Sequence, residues 1–156
     1  MGYYTGSNFT PCRSIGYLLK RAHKMALGLI ENRFRVQDIS FSQWVALALV
    51  DAGITDTTAG IARDLGHDSG ATTRLVDSLH DRGLIQRERD PSDRRVTRLT
   101  MTEEGDAVRT DLTPRLMNFW NDALGEFSAE EVDQAMSFLE RLTSRLEAMA
   151  REDTGK

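Results

Sequence analysis

The sequence predicts a mostly α-helical fold with one small β-hairpin and long helices at both chain ends. Three observations support this prediction. Apolar residues recur at three- and four-residue steps near each end of the chain. Two short segments with helix caps and terminal glycines lie in the middle, and a strand-turn-strand pattern follows them. The 156 residues, 40% of them hydrophobic, allow one domain with helical extensions.

The N-terminal third predicts an arm and two helices. Residues 1–11 are polar and predict a mobile arm. From Arg13 to Phe34 the spacing predicts an amphipathic helix, whose apolar stripe includes Ile15, Leu18 and Leu19. A second helix follows, with Ser42 as its predicted cap.

The next two helices are short and adjacent. The third begins at about Thr58 and ends at Gly66, and the fourth extends from Gly70 to Arg82 behind a cap at Asp68 or Ser69. Such a pair predicts a helix-turn-helix.

A β-hairpin is predicted directly after the fourth helix. Residues 84–89 and 95–101 favour strands, and Pro91 presets the turn between them. A helix-turn-helix followed by a two-stranded hairpin is a winged helix, so the sequence predicts a winged helix-turn-helix.

The C-terminal third predicts two helices. One opens at residues 102–104, and at Thr113-Pro114 it either kinks or restarts from a fresh cap. Ser128 to Glu131 is a capping box for the last helix. That helix carries an apolar seam of the coiled-coil type at Val132, Ala135, Leu139, Leu142, Leu146 and Met149.

The apolar stripes at the two chain ends predict a dimer. One monomer of this length would have difficulty covering both, so we expect them to pack across a two-fold axis. The alternative is that they pack on each other within one chain. The predicted dimerisation residues are Ile15, Leu18, Leu19, Leu139, Leu142, Leu146 and Met149. The predicted division is an arm and dimerisation helix at 1–36, a winged lobe at 37–104 and completing helices at 105–156.

Charge is segregated along the chain, although the net charge is only -4. Residues 13–35 carry six bases against one acid, and residues 82–98 carry six arginines against three acids. Residues 102–153 carry thirteen acids against five bases. A polyanion would be attracted to the first two segments and repelled by the third.

The winged helix and its arginines predict contact with duplex DNA. The N-terminal residues of the fourth helix would face the major groove, and the arginines of the hairpin would face phosphates and the minor groove. Asp93 would pair with a neighbouring arginine and fix the loop. The alternative is that these arginines are solvated surface. The predicted DNA-binding residues are Ser69, Gly70, Ala71, Thr72, Thr73, Arg74, Arg87, Arg89, Asp93, Arg94, Arg95 and Arg98.

The central sequence resembles the MarR family of bacterial transcriptional regulators. The resemblance rests on segments 65–68, 82–87, 90–95 and 99–105, which read LGHD, RGLIQR, DPSDRR and LTMTEEG. It implies a homodimer that binds pseudo-palindromic operators and is released by small phenolic or anionic effectors. The family's wing motif, Asp-x-Arg-x-x-basic, falls on Asp93, Arg95 and Arg98, which makes Arg95 the implied minor-groove residue. At Gly70 and Ala71 the chain departs from the hydroxyl residues common in the family.

Several other residues suggest a role without establishing one. Cys12 lies where a peroxide-sensing branch of the family has its reactive cysteine, and the alternative is an inert thiol. The three histidines have no recognisable metal-ligand spacing. The aromatic residues Trp44, Phe119, Trp120 and Phe127 suit either a ligand pocket or plain core.

These observations together predict a cytoplasmic, homodimeric DNA-binding regulator, and a repressor in preference to an activator. No cofactor, metal ion, membrane span or catalytic activity is expected, because no run of ~20 apolar residues and no nucleophile or phosphate-loop motif occurs. The competing predictions are a peroxide sensor that uses Cys12 and a non-specific architectural or protein-interaction dimer.

Overall fold

Helices dominate the computed structural model, which describes residues 2–34, 37–93 and 95–154. The elements are α1 (Ile15–Phe34), α2 (Phe41–Asp51), α3 (Thr58–Leu65), α4 (Ser69–Asp81), β1 (Ile85–Arg89), β2 (Thr97–Met101), α5 (Glu103–Leu124) and α6 (Ala129–Thr154). This order confirms the mostly α-helical winged helix-turn-helix. None of the described helices combines the length and apolarity needed to cross a membrane. The chain divides into two units, Met1–Leu116 and Met117–Lys156, and each is described by itself.

The segment before α1, which was predicted to be a mobile arm, makes several local hydrogen bonds. The Asn8 side chain accepts the Thr5 backbone N–H at 2.7 Å and donates to the Tyr3 carbonyl at 2.8 Å. The Tyr4 hydroxyl accepts the Ile15 backbone N–H at 2.8 Å, which satisfies one of the free amides at the start of α1. A short 3-10 helix, Pro11–Arg13, joins the arm to α1.

The cap of α2 is Ser40, so the prediction of Ser42 is wrong. Ser40 has an extended backbone, and its hydroxyl accepts the Gln43 N–H while the Gln43 side chain accepts the Ser40 N–H. Ser42 lies inside the first turn of the helix. The correct cap therefore forms a complete capping box, which satisfies two donors reciprocally.

The helix-turn-helix has a well-defined turn. The Thr57 hydroxyl caps α3 by accepting the Gly60 N–H at 3.1 Å. Gly66 ends α3 with a φ of 64°, a left-handed conformation that glycine adopts without a steric penalty. Asp68 caps α4 and thereby resolves the choice between Asp68 and Ser69.

The core of the winged lobe is built from residues that every element contributes. β1 and β2 pair antiparallel, with Ile85 opposite Met101 and Arg87 opposite Leu99. The buried side chains include Ile61, Val76, Leu79, Leu84, Ile85 and Leu99. At the end of α4, the Arg82 guanidinium donates to the carbonyls of Gln37 and Asp38, which ties α4 to the segment before α2.

α5 is a single helix through Pro114, so neither a fresh cap nor an interruption occurs there. The Arg109 carbonyl, one turn earlier, accepts the Thr113 hydroxyl at 2.8 Å and the Trp44 indole N–H at 3.1 Å. The hydrogen bond from Trp44 thereby joins α2 to α5 in the turn before Pro114.

The second unit comprises the last turns of α5 and all of α6. Ser128 and Glu131 form the predicted capping box, since Ser128 N–H donates to Glu131 at 2.8 Å and Glu131 N–H donates to the Ser128 hydroxyl at 3.3 Å. The α6 seam is largely exposed, with Leu139 at 38%, Leu146 at 53% and Met149 at 45% of their full exposure.

Candidate nucleic-acid interface

The N-terminus of α4 presents small residues to solvent. Asp68 accepts the Ala71 N–H at 2.8 Å, and this hydrogen bond is the main cause that lowers the pKa of Asp68. Ser69, Gly70 and Thr73 are exposed and Ala71 is half-buried. A carboxylate that caps the helix stabilises its first turn, so the side chains of that turn have defined positions.

Thr72 does not belong to this exposed set, which corrects the predicted list. Its side chain is fully buried, and its hydroxyl donates to the Asp68 carbonyl at 3.0 Å. The helical period of 3.6 residues places Thr72 with Val76 and Leu79 on the inner face of α4. Thr73 lies one step further round, where its hydroxyl donates to the Ser69 carbonyl at 2.8 Å.

Arg74 lies on the exposed side of α4, one turn after Gly70. A Cβ added at Gly70 would lie 3.7 Å from Arg74 Nη1 and 3.2 Å from Asp68 Oδ1. The Arg74 guanidinium therefore lies close to Gly70, at ordinary contact distance from where a Cβ would be, and the tighter of the two contacts would be with the Asp68 carboxylate.

The wing tip is held by its own backbone. Asp93 Oδ1 accepts the Arg95 backbone N–H at 3.0 Å, and the Asp93 carbonyl accepts the Val96 N–H at 2.9 Å. Asp93 thus fixes the loop through the backbone of Arg95. Its predicted ion pair with a neighbouring arginine stays a prediction, because one of the two neighbours is Arg94. The Arg95 side chain is exposed, and Arg94 lies outside the described residues.

A buried carboxylate organises the base of the wing. Asp90 Oδ1 accepts the backbone N–H of Ser92 at 2.8 Å and of Asp93 at 3.1 Å, together with the Ser92 hydroxyl. Its Oδ2 accepts Arg98 Nε at 2.8 Å. The Ser92 hydroxyl, followed by the Arg98 guanidinium, holds the pKa of Asp90 far below its usual range.

Arg98 extends this network to the loop before α3. Its Nη1 contacts both oxygens of the Asp56 carboxylate, at 2.8 and 3.0 Å. The hydrogen bond that Arg98 donates to Asp90, followed by those that it donates to Asp56, raises the pKa of Arg98. Asp56 did not emerge from the sequence, because it lies 42 residues from its partner and no local pattern marks it.

Two of the predicted phosphate-facing arginines therefore bind carboxylates of the protein itself. Arg98 is occupied by Asp90 and Asp56, and Arg87 Nη2 binds Asp77 Oδ1 of α4 at 2.6 Å. Their guanidinium groups connect the wing to the helix-turn-helix. Arg89, at the end of β1, is exposed, as Arg95 is at the tip.

The predicted dimerisation residues and Cys12 lie mainly at the surface. Leu18 and Leu19 of α1 are exposed, whereas Ile15 and Leu142 are half-buried. Cys12, in the 3-10 helix, is an exposed free thiol. Trp44 packs on Phe34 and Phe41 beside the lobe core, which favours the core interpretation for this tryptophan.

The comparisons with known proteins agree with this geometry. Residues 37–96 match the family model described as MarR family. A MarR-family transcriptional regulator from Rhodococcus sp. RHA1 is 27% identical, with a TM-score of 0.78 over 85% of this chain and 94% of that one. CouR from Rhodococcus jostii RHA1, bound to p-coumaroyl-CoA, is 29% identical, with a TM-score of 0.73 over 83% of this chain and 92% of that one.

A mutant MarR from E. coli, complexed with operator DNA, is similar in fold. It is 22% identical, with a TM-score of 0.72 over 82% of this chain and 92% of that one. The family match covers the lobe that holds α2, α3, α4 and most of the wing, and the structural likenesses extend over most of both chains. Residues 37–96 therefore match the MarR family, and the chain is similar in its winged helix-turn-helix fold to transcriptional regulators of that family.

Proposed function

We propose that this protein is a DNA-binding transcriptional repressor that acts as a homodimer on a pseudo-palindromic operator. The observation that carries the proposal is the joint exposure of the α4 N-terminus and the Arg95 wing tip on one lobe. A capped helix with small residues suits a major groove, and an exposed guanidinium on a narrow loop suits a minor groove.

The helix α4 would read bases through few side chains. Ser69 and Thr73 offer hydroxyls, Ala71 offers a methyl that suits thymine, and Arg74 can grip guanine or a phosphate. Gly70 would let the backbone approach the groove. Thr72 has no place in this set because it is buried.

The wing would increase affinity through its positive charge and would make few contacts that distinguish one base from another. Arg95 would enter the minor groove, where the negative potential is concentrated, and Arg89 would face a phosphate. Arg94 stays a candidate for the same groove from its position in the sequence. Asp93 would keep Arg95 in one pose through the backbone bond of 3.0 Å.

A second copy of the chain would cover the apolar surfaces at the chain ends. Leu18 on α1, and Leu139, Leu146 and Met149 on α6, are exposed to an extent that is costly in water. Residues 13–35 are basic and residues 102–153 are acidic, so α1 of one chain and α6 of its partner are complementary in charge. A two-fold dimer would place two α4 helices about one DNA turn apart, ~34 Å.

A small effector would release the DNA by favouring a dimer with a different spacing between the α4 helices. CouR, which is similar over most of its length, is described with p-coumaroyl-CoA bound, an anionic and aromatic compound. We therefore propose an anionic or phenolic effector for this protein as well. Repression follows if the operator overlaps a promoter, because a bound dimer would block polymerase.

Selection of bound duplexes from a random library, repeated at two salt concentrations, tests the proposal. We expect a pseudo-palindromic site that is preferred about 10³-fold or more over unrelated duplex. Equal binding of unrelated duplexes would replace the regulator with a non-specific architectural protein. A single-chain mass in sedimentation at micromolar concentration would contradict the homodimer.

The substitution Arg95→Ala tests the wing separately. We expect the affinity for the selected duplex to fall about 10- to 100-fold, with an unchanged melting temperature. Arg145→Ala, which removes an exposed arginine from α6, is the matched control and should leave the affinity unchanged. Equal affinities of the parent and Arg95→Ala would exclude the wing contact.

A further inference from the structure

Two carboxylates from distant parts of the chain bind one arginine at the base of the wing. Asp90 follows β1 and Asp56 precedes α3, and both contact Arg98 of β2 at 2.8 Å. The backbone takes part as well, because the Asp56 carbonyl accepts the Leu99 N–H at 2.7 Å. The base of the wing is therefore fixed to the start of the helix-turn-helix at two adjacent residues of β2.

The wing tip, in contrast, stands apart from the helix-turn-helix. A cleft of about 400 Å³ separates them, and its lining residues are Thr57, Thr58, Ala59, Arg95, Val96 and Thr97. Arg95 and the start of α3 both line this cleft. We expect the ion pairs and the backbone hydrogen bond at the base of the wing to set the distance between Arg95 and α4.

The sign of the charges makes this arrangement unusual for a DNA-binding surface. Two aspartates and one arginine give the cluster a net charge of -1, and Asp56 is 48% exposed in its side chain. An exposed carboxylate on a lobe that approaches a polyanion opposes binding. Asp56 would thus be unfavourable for affinity unless it contributes in another way.

We propose that Asp56 is a positioning residue for DNA binding, which holds Arg98, and through it the wing, so that Arg95 meets the minor groove while α4 occupies the major groove. This inference rests on the proposed function. In it Arg98 is a link within the protein and not a phosphate contact.

The substitution Asp56→Asn separates positioning from simple electrostatics by the sign of its effect. If Asp56 were only a surface acid, its removal would tighten binding to the selected duplex by about twofold or less. If it positions the wing, we expect the affinity to fall by about fivefold or more. Such a loss would be a substantial part of the loss in affinity expected for Arg95→Ala. Asp64→Asn, which removes an acid of α3 that contacts Arg63 at 3.4 Å, is the control for charge alone.

A double-mutant cycle with Arg95→Ala supplies a readout that a general structural role would not give. If Asp56 acts through the wing, Asp56→Asn has little further effect once Arg95 is removed, so the two changes are strongly non-additive. Additive losses, or tighter binding by Asp56→Asn, would overturn the proposal. Affinities are compared only among variants that melt at the same temperature as the parent. If Asp56→Asn does not fold, Asp56→Glu is measured in its place.

Arg98→Lys provides a second variant that keeps the positive charge. A lysine attracts phosphates as an arginine does, but it lacks the planar fork that holds two carboxylates at once. We expect Arg98→Lys to lose affinity as Asp56→Asn does. Retention of the parent affinity by Arg98→Lys would mean that only its charge matters and would also overturn the proposal.

Amide hydrogen exchange in the free protein keeps this test separate from the proposed function. Asp56→Asn should accelerate exchange at the Leu99 N–H, which donates to Asp56, and at the Val96 N–H in the tip, whereas Asp64→Asn should not. Unchanged exchange at both amides would overturn the positioning role whatever the DNA result. If the parent protein prefers no duplex, the proposed function fails, and that failure is seen before any variant is compared.

Discussion

The winged lobe and the last helix use their apolar residues in opposite ways. In the lobe, Val76, Leu79 and Leu99 are at most 2% exposed, whereas on α6 Leu139 and Leu146 are 38% and 53% exposed. Both segments have helix caps and regularly spaced apolar residues, so these local sequence features do not distinguish a buried helix face from an exposed one. The difference teaches that the lobe completes its own core, whereas α6 leaves apolar side chains exposed, and these are the side chains that the proposed homodimer would cover.

The largest effect is expected for two substitutions that shorten a leucine, one in the lobe and one on α6. Leu79→Ala should destabilise the lobe by about 2–5 kcal/mol, because it opens a cavity in a closed core. Leu146→Ala should weaken the dimer, so its effect on the melting temperature should change with protein concentration. Urea and thermal unfolding at two concentrations measure both. An effect of Leu146→Ala that is equal to that of Leu79→Ala at every concentration would break the comparison.

Two glycines give the next test. A Cβ added at Gly105 would lie 2.1 Å from the Leu84 backbone oxygen, whereas one added at Gly28 of α1 meets no atom within 4 Å. Gly105→Ala should therefore destabilise by about 1–3 kcal/mol, since the backbone of the wing must move. Gly28→Ala should stabilise by about 0.4–1 kcal/mol by restricting the unfolded chain. Chemical denaturation measures the two signs, and destabilisation by Gly28→Ala would show that α1 is closely packed.

Matched capping boxes allow a finer test. Ser40→Ala removes the cap of α2, whose helix is part of the lobe, and should lower the free energy of unfolding by about 0.5–2 kcal/mol. Ser128→Ala removes the cap of α6, and its effect should be confined to faster amide exchange in the first turn of α6. Global destabilisation by Ser128→Ala would mean that α6 unfolds together with the lobe.

Most of the fold could be predicted from the sequence because its signals are local. The glycine at position 66, the cap at Asp68 and the strand pattern around Pro91 each act within a few residues, and the corresponding elements were predicted within one or two positions. The cap of α2 was predicted wrongly, although a local pattern distinguishes the two serines. Gln43 stands three residues after Ser40, which is the spacing of a capping box, whereas Val45 stands three residues after Ser42.

The site was harder to predict because its contacts are long-range. The sequence indicates which residues are arginines, but it does not indicate that Arg98 meets Asp56 or that Arg87 meets Asp77. The inward position of Thr72, in contrast, could have been predicted, because Thr72 lies four residues before Val76 and seven before Leu79, on the apolar face of α4. The exposed set at Ser69, Thr73 and Arg95 followed from the pattern; the paired set required the three-dimensional arrangement.

The smallest expected effect concerns two carboxylates, one in each region. Asp90 has a pKa held far below its ordinary 3.8 by Ser92 and Arg98, and the Ser128 amide lowers the pKa of Glu131 from its ordinary 4.5. A lowered pKa in the folded state stabilises it above the ordinary value, and this stabilisation is lost as the pH falls toward the lowered value. Asp90→Asn should therefore melt below the parent at neutral pH, and the gap should narrow as the pH falls below 3.8.

Glu131→Gln should show a smaller gap that begins to narrow below 4.5, because fewer groups hold this carboxylate. Melting temperatures of the parent and both variants, measured across the acid range, test the two signs together. A gap for Asp90→Asn that stays constant with pH would mean that the wing does not depend on this charge. In that case backbone pairing alone would hold the wing, and charge would not distinguish the wing from α6, whose exposed apolar residues the proposed homodimer would cover.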